Sequence, residues 1–421
     1  MDVLSIVIFL AVIVLAFWRK SNVGVVALGI GVIAVRIFGL TDKDLIGGVS
    51  ASMFVTLVGI TLLFALINST GALDLLARKI VSMVGHRLWL LPIAIFIAGF
   101  IVSAVGPGAV PALAIIPALA VSVALPVGYN PVMLALIGEA GLIAGRMSPI
   151  TPEAAIITAA ADGAGIDNVM PTILVYITLI SIIFSVIVFF VFKGHKVKAT
   201  PEAVESLKSN EKFNAKQIVS LLSILVMLAL IIFVDVNIGL AAFIVAMCLV
   251  LFRIGDETKA IKMIPWGTIT MVLGVGALLG IVQTVGGFDL MSNAMASVMT
   301  ETTATPLMGL SAGLLSLVSS ALGVVYPTMM PMCADIAAQV GGVNPVALMA
   351  AVGAGGSLAG ISPLSTGGAL ILAAMGTQTK LSEAEENKIF VQLFIYAALA
   401  LIVIMVVSFV FFNPIANLMM G

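Results

Sequence analysis

The sequence predicts an all-α polytopic membrane protein built as an inverted-topology repeat of two halves, each with five spans and one re-entrant hairpin. Three observations carry that reading. First, 62% of the 421 residues are hydrophobic and only 9% are charged, and apolar runs beyond ~18 residues recur along the chain. Second, the ~10-residue alternating segments that mark a membrane β-barrel are absent. Third, one stretch occurs twice. Asn130 to Ala160 reads NPVMLALIGEAGLIAGRMSPITPEAAIITAA, Asn344 to Ala374 reads NPVALMAAVGAGGSLAGISPLSTGGALILAA, and 12 of 31 positions agree without a gap.

The elements follow in order. Leu4–Phe17 is the first expected span, closed by Arg19-Lys20. It has no basic residue ahead of its apolar run and no small-x-small cleavage site, so it reads as a retained helix rather than a signal peptide. Val23–Phe38 is the second span, and after a polar loop from Arg36 to Ser50 comes the third, about Phe54–Asn68. From Thr70 to Val84, Leu73, Leu76, Ala77, Ile80 and Val84 alternate with Asp74, Arg78 and Lys79 at helical spacing. That pattern predicts an amphipathic helix along the membrane surface.

Leu88 to Leu125 is apolar but cut by Gly106-Pro107-Gly108. A tip of that composition favours reversal, which gives a hairpin entering and leaving on one side; the alternative is two short full spans. Next comes the first copy of the repeated stretch. It breaks at Ser148-Pro149 and restarts with Thr151 as cap, Pro152 at the first helical position and Glu153 in the first turn. Proline removes a backbone donor and pushes the preceding residue out of helical geometry, so this is a helix interrupted near its middle. Met170–Phe192 is the next span. Lys193 to Lys216, with six lysines and three glutamates, is a linker too short for a domain.

The second half repeats the plan. Ile218–Val234 and Leu240–Phe252 are expected spans, and Trp266 to Met291 matches the third span and its surface helix. Gly59, Leu63, Gly71, Asp74 and Leu75 recur 215 residues later as Gly274, Leu278, Gly286, Asp289 and Leu290. Leu307 to Val340 is the second hairpin, cut near Ser319 to Pro327, where Val318-Ser319 and Pro327 echo Val102-Ser103 and Pro111. The second broken helix interrupts at Ser362-Pro363, where Ser365 and Thr366 can cap, and Ile389–Phe412 is the last span. An odd number of spans per half inserts the second copy upside down.

Basic residues fit this topology. One side collects Arg19, Lys20, Arg78, Lys79, Arg87, the linker lysines, Arg253, Lys259, Lys262, Lys380 and Lys388, 16 in all, and the other only Arg36 and Lys43. By the positive-inside rule the first side is cytoplasmic, which places both termini outside a multi-pass protein of the cell's inner, or plasma, membrane.

Composition and motifs exclude several functions. A net charge of −1 without a basic patch gives no nucleic-acid surface. Cys248 and Cys333 make no metal spacing and read as small packing residues, and the methionines as packing filler. His86 and His195 sit in membrane-edge loops without a nucleophile or metal pattern. No enzyme, cofactor or metal beyond Na⁺ is expected.

The candidate residues are those at the interruptions. Lipid cannot satisfy the backbone groups a broken helix frees, so they lie in protein or line a watery cavity, and paired broken helices mark a transporter's solute site. Arg146 is the sharpest, because an intramembrane charge costs about 3 kcal/mol or more and so faces the interior or water. Its planar fork suits a substrate carboxylate. It could equally sit at the inner mouth, or pair structurally with Glu139 or Glu153, each seven residues away. On an unbroken helix neighbours are three or four apart, so a direct contact with either is not expected. Half-helix N-termini offer amides to anions and unwound carbonyls coordinate Na⁺. The expected substrate contacts are Arg146, Ser148, Thr151, Gly106, Gly108, Ser320, Gly323, Ser362, Ser365 and Thr366. The expected cation sites are Ser103, Gly145, Glu139, Glu153, Ser319, Thr328 and Gly360. Small residues at such places could instead serve close helix packing.

Surface helix, hairpin, broken helix and inverted repeat together resemble the ion transporter superfamily, which includes divalent anion:sodium symporters, arsenite/sodium–proton carriers and the large subunit of tripartite carboxylate transporters. Within it, SPITPEAAI and SPLSTGGALI are most similar to the malonate/dicarboxylate carrier family. The resemblance implies a homodimer with a mobile transport domain: scaffold and arm helix in 1–87 and 217–304, transport parts in 88–192 and 305–421, and a cytoplasmic linker in 193–216. The tips here carry no Ser-Asn-Thr, so the sodium and substrate contacts of divalent anion:sodium symporters do not transfer. The expected function is cation-coupled secondary transport of a small carboxylate, a dicarboxylate, by an elevator movement driven by Na⁺ or H⁺. Two alternatives stay open: a cation/proton antiporter using Glu139, Glu153 or Asp335, and a membrane subunit that needs a separate binding protein.

Overall fold

The computed structural model describes residues 1–19, 21–84, 87–197, 211–317, 319–378 and 381–420. Lys20, His86, Val318, Lys380 and the middle of the linker, 198–210, lie outside the described residues. Among the described residues all regular structure is helical. Eight helices among the described residues are long and apolar enough to cross a bilayer, and six further apolar helices there run 10–17 residues. Many outward side chains are apolar, such as Leu225, Ile232 and Phe233 on Ala215–Val234, as a lipid-facing surface requires.

Turn chemistry sets the boundaries. Asn130 Oδ1 accepts from Met133 N at 3.1 Å and Asn344 Oδ1 from Val346 N at 2.9 Å, each with proline in the first helical position. The repeated Asn-Pro-Val is therefore a helix-start signal used twice. Gly71 (φ 74°) and Gly286 (φ 84°) take the left-handed conformation, where glycine carries no Cβ penalty. Each ends a long helix, Ala51–Ser69 or Trp266–Thr284, and starts a short one, Ala72–Ser82 or Gly287–Ala296. The expected surface helices are these two, and in the first Asp74 and Arg78 pair at 2.8 Å on the exposed side.

One difference from the sequence reading stands out. The loop between Arg36 and Ser50 contains a short helix, Asp42–Gly47, which Thr41 and Asp44 close with a capping box; six residues are too few to show a period. The chain from Ala304 to Val340 is cut at the start of the expected stretch, Ser319 to Pro327. Its first helix ends at Ser316, Ser320 is extended, and a π turn over Ala321–Val325 leads into Tyr326–Met329, whose first turn holds Pro327. The Ser320 hydroxyl, which accepts from Gly323 N at 3.3 Å, restarts the helix there.

The broken helices form the centre. Every residue from Val132 to Gly145 and from Val346 to Leu358 is buried. Around them pack Leu91–Ala104 and Ala109–Val127 from the first half and Ala304–Ser316 from the second. Backbones touch through small residues. A Cβ on Gly141 would collide with the backbone of Phe96, and one on Gly145 with that of Phe100. In the outer layer Gly24 abuts Gly274, and Gly59 abuts Gly239. A single shift of 215 residues turns one contact into the other, so the second helix of each half crosses the long helix of the opposite half.

Candidate functional site

The interruptions of both halves meet at one cavity of about 180 Å³. The first broken helix stops at Gly145 and restarts at Pro152, and Thr151 caps the restart by accepting from Ala154 N at 3.2 Å. The Thr151 hydroxyl also donates to the Arg146 carbonyl at 2.6 Å, satisfying an acceptor that the break frees. The second broken helix ends in a tight turn over Ala359–Ile361 and restarts at Thr366. Ser365 there donates to the carbonyl of Ser319 at 3.4 Å, tying this break to the cut between Ser316 and Ala321.

Arg146, Glu139, Ser320, Gly360, Ser365 and Thr366 line the cavity. Glu153 lines an adjoining cavity of about 20 Å³. The other expected residues stand behind the walls or at the turns. Thr151, Ser362 and Gly145 are buried within the breaks, with Ser148 half-buried beside them. Gly106 (φ 132°) and Gly108 (φ 67°) shape the first tip. Ser103 is buried there with its hydroxyl unpartnered among the described residues. Gly323 lies in the π turn, while Ser319 and Thr328 donate to carbonyls of their own segments, Leu315 at 2.5 Å and Val324 at 2.6 Å. Asp335 is exposed and lines neither cavity.

The charges depart from the expectation that residues seven apart do not meet. Arg146 donates to Glu153 Oε1 through Nη2 at 3.0 Å and through Nε at 3.1 Å. The break explains this correction: between Gly145 and Pro152 the chain turns, so helical spacing no longer governs which side chains face one another. The same oxygen accepts from Ala109 N, the first amide of the helix Ala109–Val127, at 2.9 Å. Glu153 thus sits at a helix start, where a carboxylate is favoured, and joins the first tip to the first break. Both residues are buried, at 7% and 0% exposure.

Glu139 plays a matching part in the second half. It is 2% exposed, and a Cβ on Gly367, in the first turn of the second restart, would collide with its Oε1. Likewise a Cβ on Gly108 would collide with Glu153 Oε2. Each glycine leaves room for a glutamate beside a helix start.

Sequence reasoning missed part of the wall. Ser316 donates to the Gly356 carbonyl at 2.5 Å, and Ser357 shares a 2.5 Å hydrogen bond with the buried Tyr326 hydroxyl. Ser316 and Ser357 line the cavity, as does Thr268 from the long helix Trp266–Thr284. Ser357 could have been found from its place in the repeated stretch; Thr268 carries no local mark. Among the described residues no cluster of His, Cys, Asp or Glu has metal-binding geometry.

A many-helix membrane chain whose two broken helices close on a small charged cavity has the architecture of a solute transporter. The chain belongs to the citrate transporter family, CitMHS, whose family model matches residues 13–355. That agrees with the superfamily resemblance drawn from its motifs. Among solved structures, the YdaH transporter of Alcanivorax borkumensis has a similar fold, with a TM-score of 0.58 at 15% identity and 87% of each chain covered. No curated protein matches the sequence.

Proposed function

We propose that this protein is a cation-coupled secondary transporter of a small polycarboxylate, the C3–C4 dicarboxylates and citrate being the solutes to try first. The observation that carries the reading is a guanidinium lining a cavity built from both breaks and the second hairpin tip. Arg146 supplies a planar fork for a carboxylate, and the helix restarting at Thr366 turns its amide end to the same space. At about 180 Å³ the cavity is below the ~300–1,000 Å³ of clefts for drug-sized ligands, which favours a small solute. The family's name for citrate supports the carboxylate class. Na⁺ or H⁺ would be the coupling ion.

The transport parts, residues 88–192 and 305–421, would move as one body against the scaffold of 1–87 and 217–304, in a homodimer of the plasma membrane with both termini outside. The paired contacts Gly24–Gly274 and Gly59–Gly239 support the inverted repeat behind such an elevator. Each half would then hold five spans and a re-entrant hairpin. The test is uptake of labelled succinate, malonate and citrate into proteoliposomes under Na⁺ or proton gradients. Uptake by the purified chain supports the proposal and excludes the need for a separate binding protein. No uptake of any of the three rejects the substrate class.

One observation favours a second reading, a cation/proton antiporter. Glu139 Oε2 and Glu153 Oε2 are buried and unpartnered among the described residues, as ion-carrying carboxylates would be. Dequenching of a pH dye on Na⁺ addition, without any carboxylate present, would favour it.

A further inference from the structure

We infer that Glu153 is an internal occupant of the anion seat: its carboxylate holds Arg146 while no solute is bound, an entering carboxylate takes the guanidinium over, and a proton or Na⁺ neutralises the Glu153 so released. This rests on the carboxylate-transport reading and assigns the coupling of that same site.

The geometry is lopsided. Glu153 Oε1 receives Arg146 Nη2 at 3.0 Å, Arg146 Nε at 3.1 Å and Ala109 N at 2.9 Å. Oε2 receives nothing among the described residues, although it is buried. A carboxylate has about four acceptor sites over two oxygens, so three donors crowd one oxygen while the other stands bare. A purely structural ion pair would be expected to place the fork across both oxygens. Here the guanidinium is held on one side and still lines the larger cavity, where a second carboxylate can approach it.

A small cavity beside Glu153 offers a cation a place. Glu153 lines it together with Thr61 and Thr268, which come from the two long scaffold helices. About 20 Å³ holds one water or a small ion, and the Thr61 hydroxyl at its edge donates to the Leu57 carbonyl at 2.6 Å. The other charged or titratable groups around the pair are Glu139, across the larger cavity, and Tyr326 from the second hairpin, which feels the charges of both Arg146 and Glu153. Glu139 is also acidic, so a released Glu153 finds no second cationic side chain among the described residues lining the two cavities. An uncompensated buried carboxylate costs several kcal/mol, so the exchange proceeds only as a cation arrives. Anion binding and cation binding are thereby linked through one side chain, with Ala109 N keeping Glu153 in place.

Calorimetric binding of succinate and citrate to the purified full chain tests this, at acid and neutral pH, with and without Na⁺. Wild-type binding should depend on the cation and, without Na⁺, should take up a proton, seen as a heat that changes with the buffer's ionisation enthalpy. Glu153→Gln keeps an oxygen for Ala109 N but is a weak competitor for Arg146. It should bind the anion roughly tenfold tighter or more, the worth of a charge-assisted hydrogen bond no longer broken, and should lose the cation dependence. Thermal unfolding of the variant checks that it is folded. Cation-dependent binding by Glu153→Gln, or wild-type binding with neither proton uptake nor Na⁺ dependence, overturns the inference but leaves the transport reading intact. Failure of both anions to bind wild type overturns the reading itself.

Discussion

Arg146→Met and Glu153→Gln, singly and together, separate what the buried pair does for stability from what each residue costs alone. Arg146 is 7% exposed and Glu153 0%. Removing the guanidinium strands a carboxylate that keeps one donor, Ala109 N. Breaking a buried pair from one side costs about 3–5 kcal/mol. Glu153→Gln is milder, about 1–2 kcal/mol, because the amide oxygen still accepts from Ala109 N and Arg146 faces a cavity that admits water. The double variant leaves no stranded charge, so it should be more stable than Arg146→Met alone, with a coupling of about 2 kcal/mol. Thermal midpoints of the purified variants, followed by intrinsic fluorescence in one detergent, give the order: wild type, then Glu153→Gln, then the double, then Arg146→Met. A double variant that melts below Arg146→Met would show that the two side chains act independently and would refute the pairing argument.

Gly367→Ala should abolish carboxylate binding with only a small loss of thermal stability, because the new methyl meets Glu139 Oε1 at the cavity wall. Gly376→Ala, with open space around it, should leave binding unchanged in the same calorimetric assay. Gly141→Ala should lower the thermal midpoint through an overpacking cost of about 1–3 kcal/mol, since its methyl meets the Phe96 backbone rather than a yielding side chain. Gly29→Ala, with nothing nearby, should be neutral or raise it. At the start of the last long helix, hydrogen bonds from the Ser382 amide and hydroxyl hold the Glu385 carboxyl below its ordinary range. That capping contribution is therefore complete above the ordinary glutamate range and is lost as pH falls through the lowered value. Amide exchange over residues 383–386 should quicken on acidification relative to the intrinsic rate, and Ser382→Ala should remove the difference.

Much of the architecture was legible because its signals are local. Asn-Pro-Val starts, Ser-Pro interruptions and the glycines 71 and 286 act through caps, missing donors and backbone conformation, which a short window of sequence contains. Of the apolar face read from period in the first short helix, Leu73, Ala77 and Val84 are buried and Leu76 and Ile80 half-buried, while Leu75 and Val81, outside that face, are buried too. The contacts of the site were less legible. The three-or-four rule that argued against an Arg146–Glu153 contact holds within a helix, and the two residues lie on opposite sides of a break that the same sequence announces. Ser148-Pro149 gave the interruption but not the direction in which the chain leaves it. Thr268 and Ser316 reach the cavity from helices whose sequences look like any other apolar segment, and only their packing against the breaks gives them a role. The cut near Ser319 was legible in the sequence, while the π turn over Ala321–Val325 that follows it was not.

The two copies of the repeated stretch are alike in backbone and unlike in chemistry. A gapless alignment sets Glu139 against Gly353, Arg146 against Gly360 and Glu153 against Gly367. Every charge lies in the first copy, and glycine stands at each matching place in the second. The structure shows why that is workable. Glu139 occupies the space that Gly367 leaves, so the restart in the second half is served by a carboxylate borrowed from the first. Gly360 opens onto the cavity that Arg146 lines from the opposite break. A charged second copy would double the set of one guanidinium and two carboxyls around cavities of about 180 and 20 Å³, and buried charge left without a partner costs several kcal/mol per ion. The repeat supplies the frame of two facing helix starts, and the glycines of the second copy supply the room. What remains is two acidic groups against one basic group. Under the proposed transport of a carboxylate, an entering anion would meet one guanidinium beside two acidic side chains, and the Glu153→Gln calorimetry decides whether a cation must come with it.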